Sequence, residues 1–479
     1  MSRSASGLDA ARGAVARYAW REAFDLLAAA DAVEPLGAED LERMADCAWW
    51  IGKMRHCIAL RERAHAGFLK DGDPRRAARV ACDLADHHAD LMEISTASAW
   101  LQKAERLLED EPESIEHGWL RLSQGLMGRG DGDWSKVGEF AREASEIASR
   151  FQDKDLFAIT LATQGVGLVF GGGDADAGVR MIEEATVGAV NGELGPYATG
   201  MIYCMMIATN AHIADWQQAG HWTEAAKNWC DRQSINGFPG ICRVHRAEIM
   251  RLRGDLSIAE EEARTASVEL ASFNLMFAAL AFQELGDVRL KMGDIDAAEE
   301  AFSQAQEMGV TPQPGLTAAL VQRGKTQAAG ASIRRALADR SMGPLDRVKL
   351  LPTQVEVSLL LGDAETARSA TSELGEIAKE HGRPALRAAA AAASAAVGLA
   401  DGDLDQALTS AEEARGLFRE IDLMYEVART SVLLGQVRLA RGEDDQATTE
   451  IDAALSMFDT VGAVPDAVRA RELLASRVT

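Results

Sequence analysis

A turn position recurs along this chain at Tyr18, Gly52, Met92, Gly132, Gly173, Ala214, Gly254, Gly293, Gly324, Gly362, Gly402 and Gly442, at intervals of 34, 40, 40, 41, 41, 40, 39, 31, 38, 40 and 40 residues. Nine of the twelve are glycine, and the next residue is acidic in nine: Glu93, Asp133, Asp174, Asp215, Asp255, Asp294, Asp363, Asp403 and Glu443. Glycine adopts the left-handed conformation that ends one helix, and an acid just beyond it caps the next. Each such pair therefore reads as a corner between two helices, and a period near forty reads as an array of stacked units.

Further positions keep the same register. Twelve residues after the corner stands alanine in eleven of twelve units, from Ala30 and Ala64 to Ala454, with Leu374 the exception. Five residues after it the side chain is small in most, as at Ala23, Ala97, Ala219, Ala259, Ala298, Ala329, Ala367, Ala407 and Ala447. Small residues seven apart share one helical stripe and let a neighbouring helix approach closely. An aliphatic or aromatic residue, Ile182, Phe302, Ile333 or Ile451, lies between them nine after the corner.

This arrangement resembles the tetratricopeptide repeat over residues 8 to 465. The resemblance implies an all-α, right-handed superhelical solenoid of about 12 helix pairs, with the first helix of each pair lining a groove. Residues 1–479 are expected to form this single solenoid, with possible subdivision at 1–190, 191–310 and 311–479, and no separate catalytic or DNA-binding domain. Alanine-rich, aromatic-poor composition, with aromatics at 5%, agrees with helix.

Charge narrows the partners. With 74 acidic and 50 basic side chains the formal charge is −24, which repels a phosphate backbone, so no direct nucleic-acid ligand is expected. The six cysteines (Cys47, Cys57, Cys82, Cys204, Cys230, Cys242) are scattered rather than densely paired, which fits a reducing cytoplasm. The apolar stretches 195–214 and 385–400 are broken by Asn210 and His212 or consist mostly of alanine, so no membrane association is expected.

Several segments resemble large LuxR-type bacterial regulators of the maltose-regulator kind: Gly240-Ile241-Cys242-Arg243-Val244-His245-Arg246-Ala247-Glu248-Ile249, Glu22-Ala23-Phe24-Asp25-Leu26-Leu27, Ile202-Tyr203-Cys204 and Pro312-Gln313-Pro314-Gly315-Leu316. In that family a repeat region precedes a DNA-binding helix-turn-helix. Here only 37 residues follow Gly442, and from 401 onward there are 16 acids and 8 bases, the wrong sign for a DNA reader. The resemblance thus implies the sensing or interaction part of such a regulator.

Ala319-Leu320-Val321-Gln322-Arg323-Gly324-Lys325-Thr326 satisfies a relaxed phosphate-loop pattern, but it sits on a repeat corner rather than between strand and helix. His212, His221, Cys230, Cys242 and His245 lack the close pairing of a zinc site, and no metal, cofactor or catalytic residue is expected. The candidate site is the groove. Met201, Tyr203 and Cys204 offer an apolar floor, while His245, Arg246, Glu248 and Arg251 offer charge. Arg246 occupies a position that holds Leu84, Leu285 and Leu434 in other units, so its charge needs a partner, for which Glu224 and Glu248 are candidates. The expected function is an interaction or regulatory module that binds a protein segment, peptide or small effector. A scaffold without small ligand, or an enzyme hidden in the solenoid, are the alternatives.

Overall fold

The computed structural model describes residues 3–232, 239–339 and 341–475, and all regular structure there is helical, in twenty-six α-helices and one 3₁₀ turn at Gly128–Asp131. Antiparallel pairs follow one another along the chain, Ala38–Trp50 with Met54–Lys70, then Pro74–Asp90 with Ile94–Leu108, through Met424–Ala440 with Asp444–Val461, before a last helix, Val464–Ala475.

Eleven of the twelve expected corner residues take positive φ, including the non-glycines Tyr18, Met92 and Ala214, each at 59°. At the corner of Gly52, Lys53 N–H donates to Ala48 C=O (2.8 Å) and Gly52 N–H to Trp49 C=O (3.0 Å), which satisfies carbonyls that the helix end would leave bare. The exception is Gly173. There the left-handed residue is Gly172, with φ 73°, because the three-glycine run adds one residue before the cap. Asp133, Asp174, Asp294, Asp363 and Asp403 each accept a backbone N–H of the helix they open. Glu93 and Glu443 make no such cap and instead hold His88 and Arg438. A second set of left-handed residues, Gly72, Gln152, Gly192, Gly309, Gly382, Asp422 and Gly462, stands at junctions between one pair and the next.

The small-residue register is a packing register. All twelve positions five after the corner are buried, with Cys57, Val137 and Gly178 completing the alanines. Ten of the twelve positions twelve after it are buried, Ala30 and Ala336 being partly exposed. Ile182, Phe302, Ile333 and Ile451 are buried as well. Each unit is thus a seam where backbones come close, and at Ile182, Phe302, Ile333 and Ile451 a large side chain fills the space between.

The chain divides into two compact units. The first comprises 1–209, 222–242 and 266–278, and the second 210–221, 243–265 and 279–479. In the first, side chains from non-consecutive pairs meet: Trp49 lies 5.7 Å from Tyr197 and 5.5 Å from Phe273, ring centre to ring centre. In the second, the chain returns on itself, since Leu256, Ala259 and Val288 share a core with Tyr425, Phe458 and Ala463. The alanine-rich helix Pro384–Asp401 packs its Ala385, Ala388 and Ala391 in a cluster that also takes in Ala214, Trp216 and Leu252. Alanine leaves room there for a segment far away in sequence.

Candidate functional site

In the first unit a cluster of charged side chains links the first helices Ala38–Trp50 and Pro74–Asp90. Arg61, from the second helix of its pair, is 7% exposed and donates to Asp46 (2.8 Å), Asp83 (2.7 Å) and His87 Nε2 (3.2 Å). Burial and then the neighbouring guanidinium push His87 down to about 3, so it accepts as a neutral ring. Arg79 pairs with Asp83 and stacks 4.0 Å over Trp119. One helical face carries Asp83, Asp86 and Asp90; Asp86 accepts from Ser123 (3.1 Å) and Asp90 from Asn274 (2.8 Å). Burial, reinforced by the neighbouring carboxylates, pushes both Asp86 and Asp90 up to about 7.

A raised carboxyl pKa means that the folded chain binds protons which the unfolded chain has released between about pH 4 and 7. The stability contributed by these groups therefore falls as pH rises through that window. Asp90→Asn keeps an acceptor for Asn274 and is expected to stabilise the chain by about 1–2 kcal/mol near pH 8, with little effect near pH 4.5. Thermal melts of the two proteins at both pH values test this, and an equal shift at both would contradict it.

Of the residues proposed from sequence, Met201, Tyr203 and Cys204 belong to the first unit. Tyr203 is buried against Trp222 and Trp229, with ring centres 6.2 and 6.0 Å away, and Met201 packs at the edge of the Ile202–Met206 core. Tyr203 is thus a packing residue, and Met201 is half-buried. Cys204 is half-buried, with its Sγ 3.8 Å from that of Cys242.

His245, Arg246, Glu248 and Arg251 belong to the second unit. Arg246 meets Glu262, at 3.0 Å, on the second helix of the same pair, and Arg243 reaches the same carboxylate at 2.8 Å. Glu248 lies 3.9 Å from the His245 ring. Arg251 forks onto Glu284 of the next first helix. Burial, together with Asp287 and Glu248 close by, holds Glu284 above the usual carboxylate range even with Arg251 attached, and burial raises Asp287 as well. Further along, Lys291 sits 3.6 Å over the ring of Tyr425, whose hydroxyl donates to Asp466 at 2.7 Å. Arg429 spans to Glu356, two first helices away, and to Glu426, at 3.4 Å each.

One regularity links these carboxylates. The residue six before the corner is acidic in five units: Asp46 and Asp86 in the first, Glu248, Asp287 and Glu356 in the second. Sequence reasoning singled out Glu248 alone, although aligning the units on their corners exposes the whole set. The phosphate-loop pattern lies on helix Gly315–Gln322 and the corner at Gly324, with no strand before it. Among the described residues no group of three or more His, Cys, Asp or Glu side chains is placed to hold a metal ion, and no helix is long and apolar enough to cross a membrane. Two shallow clefts of about 490 and 450 Å³ lie elsewhere, one along Asp452–Thr460 and the other between Arg121 and Glu143.

No family model matches the chain, and no curated protein does. Among solved structures, it is similar to a chain of the crystal structure of the APC/C hetero-tetramer Cut9-Hcn1, at 13% identity and TM-score 0.42, covering 98% of this chain and 96% of that one. The crystal structure of yeast Tom70 gives 15% identity and TM-score 0.32, with the same coverage of 98% and 96%. The assignment as a tetratricopeptide-like helical repeat rests on this chain's own corners, caps and buried small-residue register.

Proposed function

We propose that the chain is a protein-interaction module whose first helices receive a lysine- or arginine-bearing segment of a partner protein. The observation that carries this reading is the carboxylate set six residues before the corner: in the second unit Glu248, Asp287 and Glu356, joined by Glu284 and Glu426, outnumber Arg251, Lys291, Lys349 and Arg429. Clustered carboxylates in excess of their cations repel one another, and a further cation placed among them relieves that repulsion. The net charge of −24 steers the same class of partner toward the surface. The resemblance of residues 240–249 to LuxR-type regulators would put such a module in bacterial transcriptional or signalling control.

Fluorescence anisotropy with a labelled Lys/Arg-rich peptide library tests the reading against a matched acidic library. Basic peptides are expected to bind more tightly at about 0.05 M than at about 0.3 M salt. The triple change Glu248→Gln, Asp287→Asn, Glu356→Gln should weaken them roughly tenfold. Equal binding of acidic peptides, or basic binding untouched by the triple change, would show the reading to be wrong.

A further inference from the structure

Cys204 and Cys242 stand on the first helices of consecutive pairs, Pro196–His212 and Pro239–Arg253, 38 residues apart, which is close to one repeat. Repeat geometry brings such residues side by side, and here the two Sγ atoms are 3.8 Å apart, both within the first unit. A disulfide requires about 2.05 Å, so rotation of the two side chains and a small helix shift would close the gap. Cys204 is half-buried and reaches solvent, whereas Cys242 is 8% exposed behind it. An accessible thiol backed by a sheltered one in contact is the arrangement of an attacking and a resolving cysteine. Elsewhere in the unit, burial pushes the thiols of Cys47 and Cys57 up to about 12, which keeps them as inert thiols near neutral pH.

We propose that Cys204 and Cys242 form a redox-active dithiol that low-molecular-weight disulfides convert to an intramolecular disulfide bridging consecutive first helices. Cys204 gives up its proton, and its thiolate attacks one sulfur of the small disulfide. The small S–S bond breaks, and one small thiolate leaves and takes up a proton. Cys242, deprotonated in turn, attacks the Cys204 sulfur; the protein S–S bond forms and the second small thiol departs. Two protein thiols are oxidised, one small disulfide is reduced to two thiols, and the chain loses two hydrogens. The bridge fixes the spacing of two consecutive pairs, so oxidation would stiffen that part of the first unit.

The full chain, incubated with oxidised glutathione, alkylated and digested, is read by peptide mass mapping. The expected result is a linked peptide pair joining Cys204 and Cys242, a fall from six alkylatable thiols to four, reversal by dithiothreitol, and a higher melting temperature for the oxidised chain. Cys204→Ser should leave Cys242 reduced, and Cys242→Ser should leave Cys204 carrying a glutathione adduct. Circular dichroism of both variants checks their folding, and the wild-type map decides the matter if either misfolds. Separate glutathione adducts on both cysteines, two unmodified thiols, or a linkage to another cysteine would overturn the proposal.

Discussion

Arg61→Ala is expected to lower the stability of the folded chain by about 3–5 kcal/mol, because it takes the cation from Asp46 and leaves the part-buried Asp83 with Arg79 alone. Arg61 is 7% exposed, holds Asp46 and Asp83 together, and donates to the ring of His87, which burial keeps neutral. The arginine also spans three helices, Ala38–Trp50, Met54–Lys70 and Pro74–Asp90. Its removal loses packing as well as charge. Arg61→Lys should recover only part of the loss, since one ammonium cannot reproduce the three separate directions of the guanidinium. Urea titration followed by circular dichroism measures both variants. A loss below about 1 kcal/mol for alanine would mean that the carboxylates escape to water, and that this cluster contributes little to the fold.

Gly178→Val should also be damaging, for a steric reason. Gly178 faces Gly165 across the pair Lys154–Phe170 and Ala175–Val190. A Cβ at 178 would stand 2.6 Å from the Gly165 carbonyl oxygen and 2.7 Å from a Val169 methyl. The first of these is backbone, which no rotamer change can move. The helices must separate, and the Ile182 core beside the contact opens with them. Overpacking of this kind costs roughly 1–3 kcal/mol, and the second branch of valine adds to it. Alanine at 178 should fall at the lower end of that range. In contrast, Gly138→Ala, where a Cβ would meet nothing within 4 Å, should be neutral or slightly stabilising on helix propensity. Thermal melts of the three variants give the ordering. Equal melting of Gly178→Ala and Gly138→Ala would show that the pair tolerates separation.

The corners and the small-residue register could be read from sequence because their causes are local. A left-handed residue is needed wherever two helices meet at a tight turn, and a buried seam admits only small side chains. Even Tyr18, Met92 and Ala214 held the turn position, since the hydrogen bonds of the helix end outweigh the steric cost of positive φ without glycine. Gly173 was misplaced by one residue because three consecutive glycines satisfy the pattern equally well. The charged clusters were legible only in part. Glu248 and Arg251 were singled out as groove residues, but the link from Arg251 to Glu284 depends on how one pair stacks on the next. Contacts such as Trp49 with Tyr197, or Lys291 with Tyr425, join residues more than a hundred positions apart. No local periodicity encodes those. Glu262, which meets Arg246 from the second helix of the same pair, has no place in the corner register and so gave no signal in the sequence.

The return of the last pair onto Leu256, Ala259 and Val288 changes how the second unit should come apart. In an open array each repeat touches only its neighbours, so unfolding frays inward from a free end, one unit at a time. Here the terminal helices are anchored at Gly254, where a Cβ would already lie 3.1 Å from Val461, and at Lys291 through the ring of Tyr425. Fraying from the end must break contacts with residues more than 130 positions earlier, so loss of the last pair also strips the cover from an earlier one. These long-range closures slow folding, because a large loop has to be closed before they form. In exchange, the unit loses its structure in a single cooperative step instead of peeling.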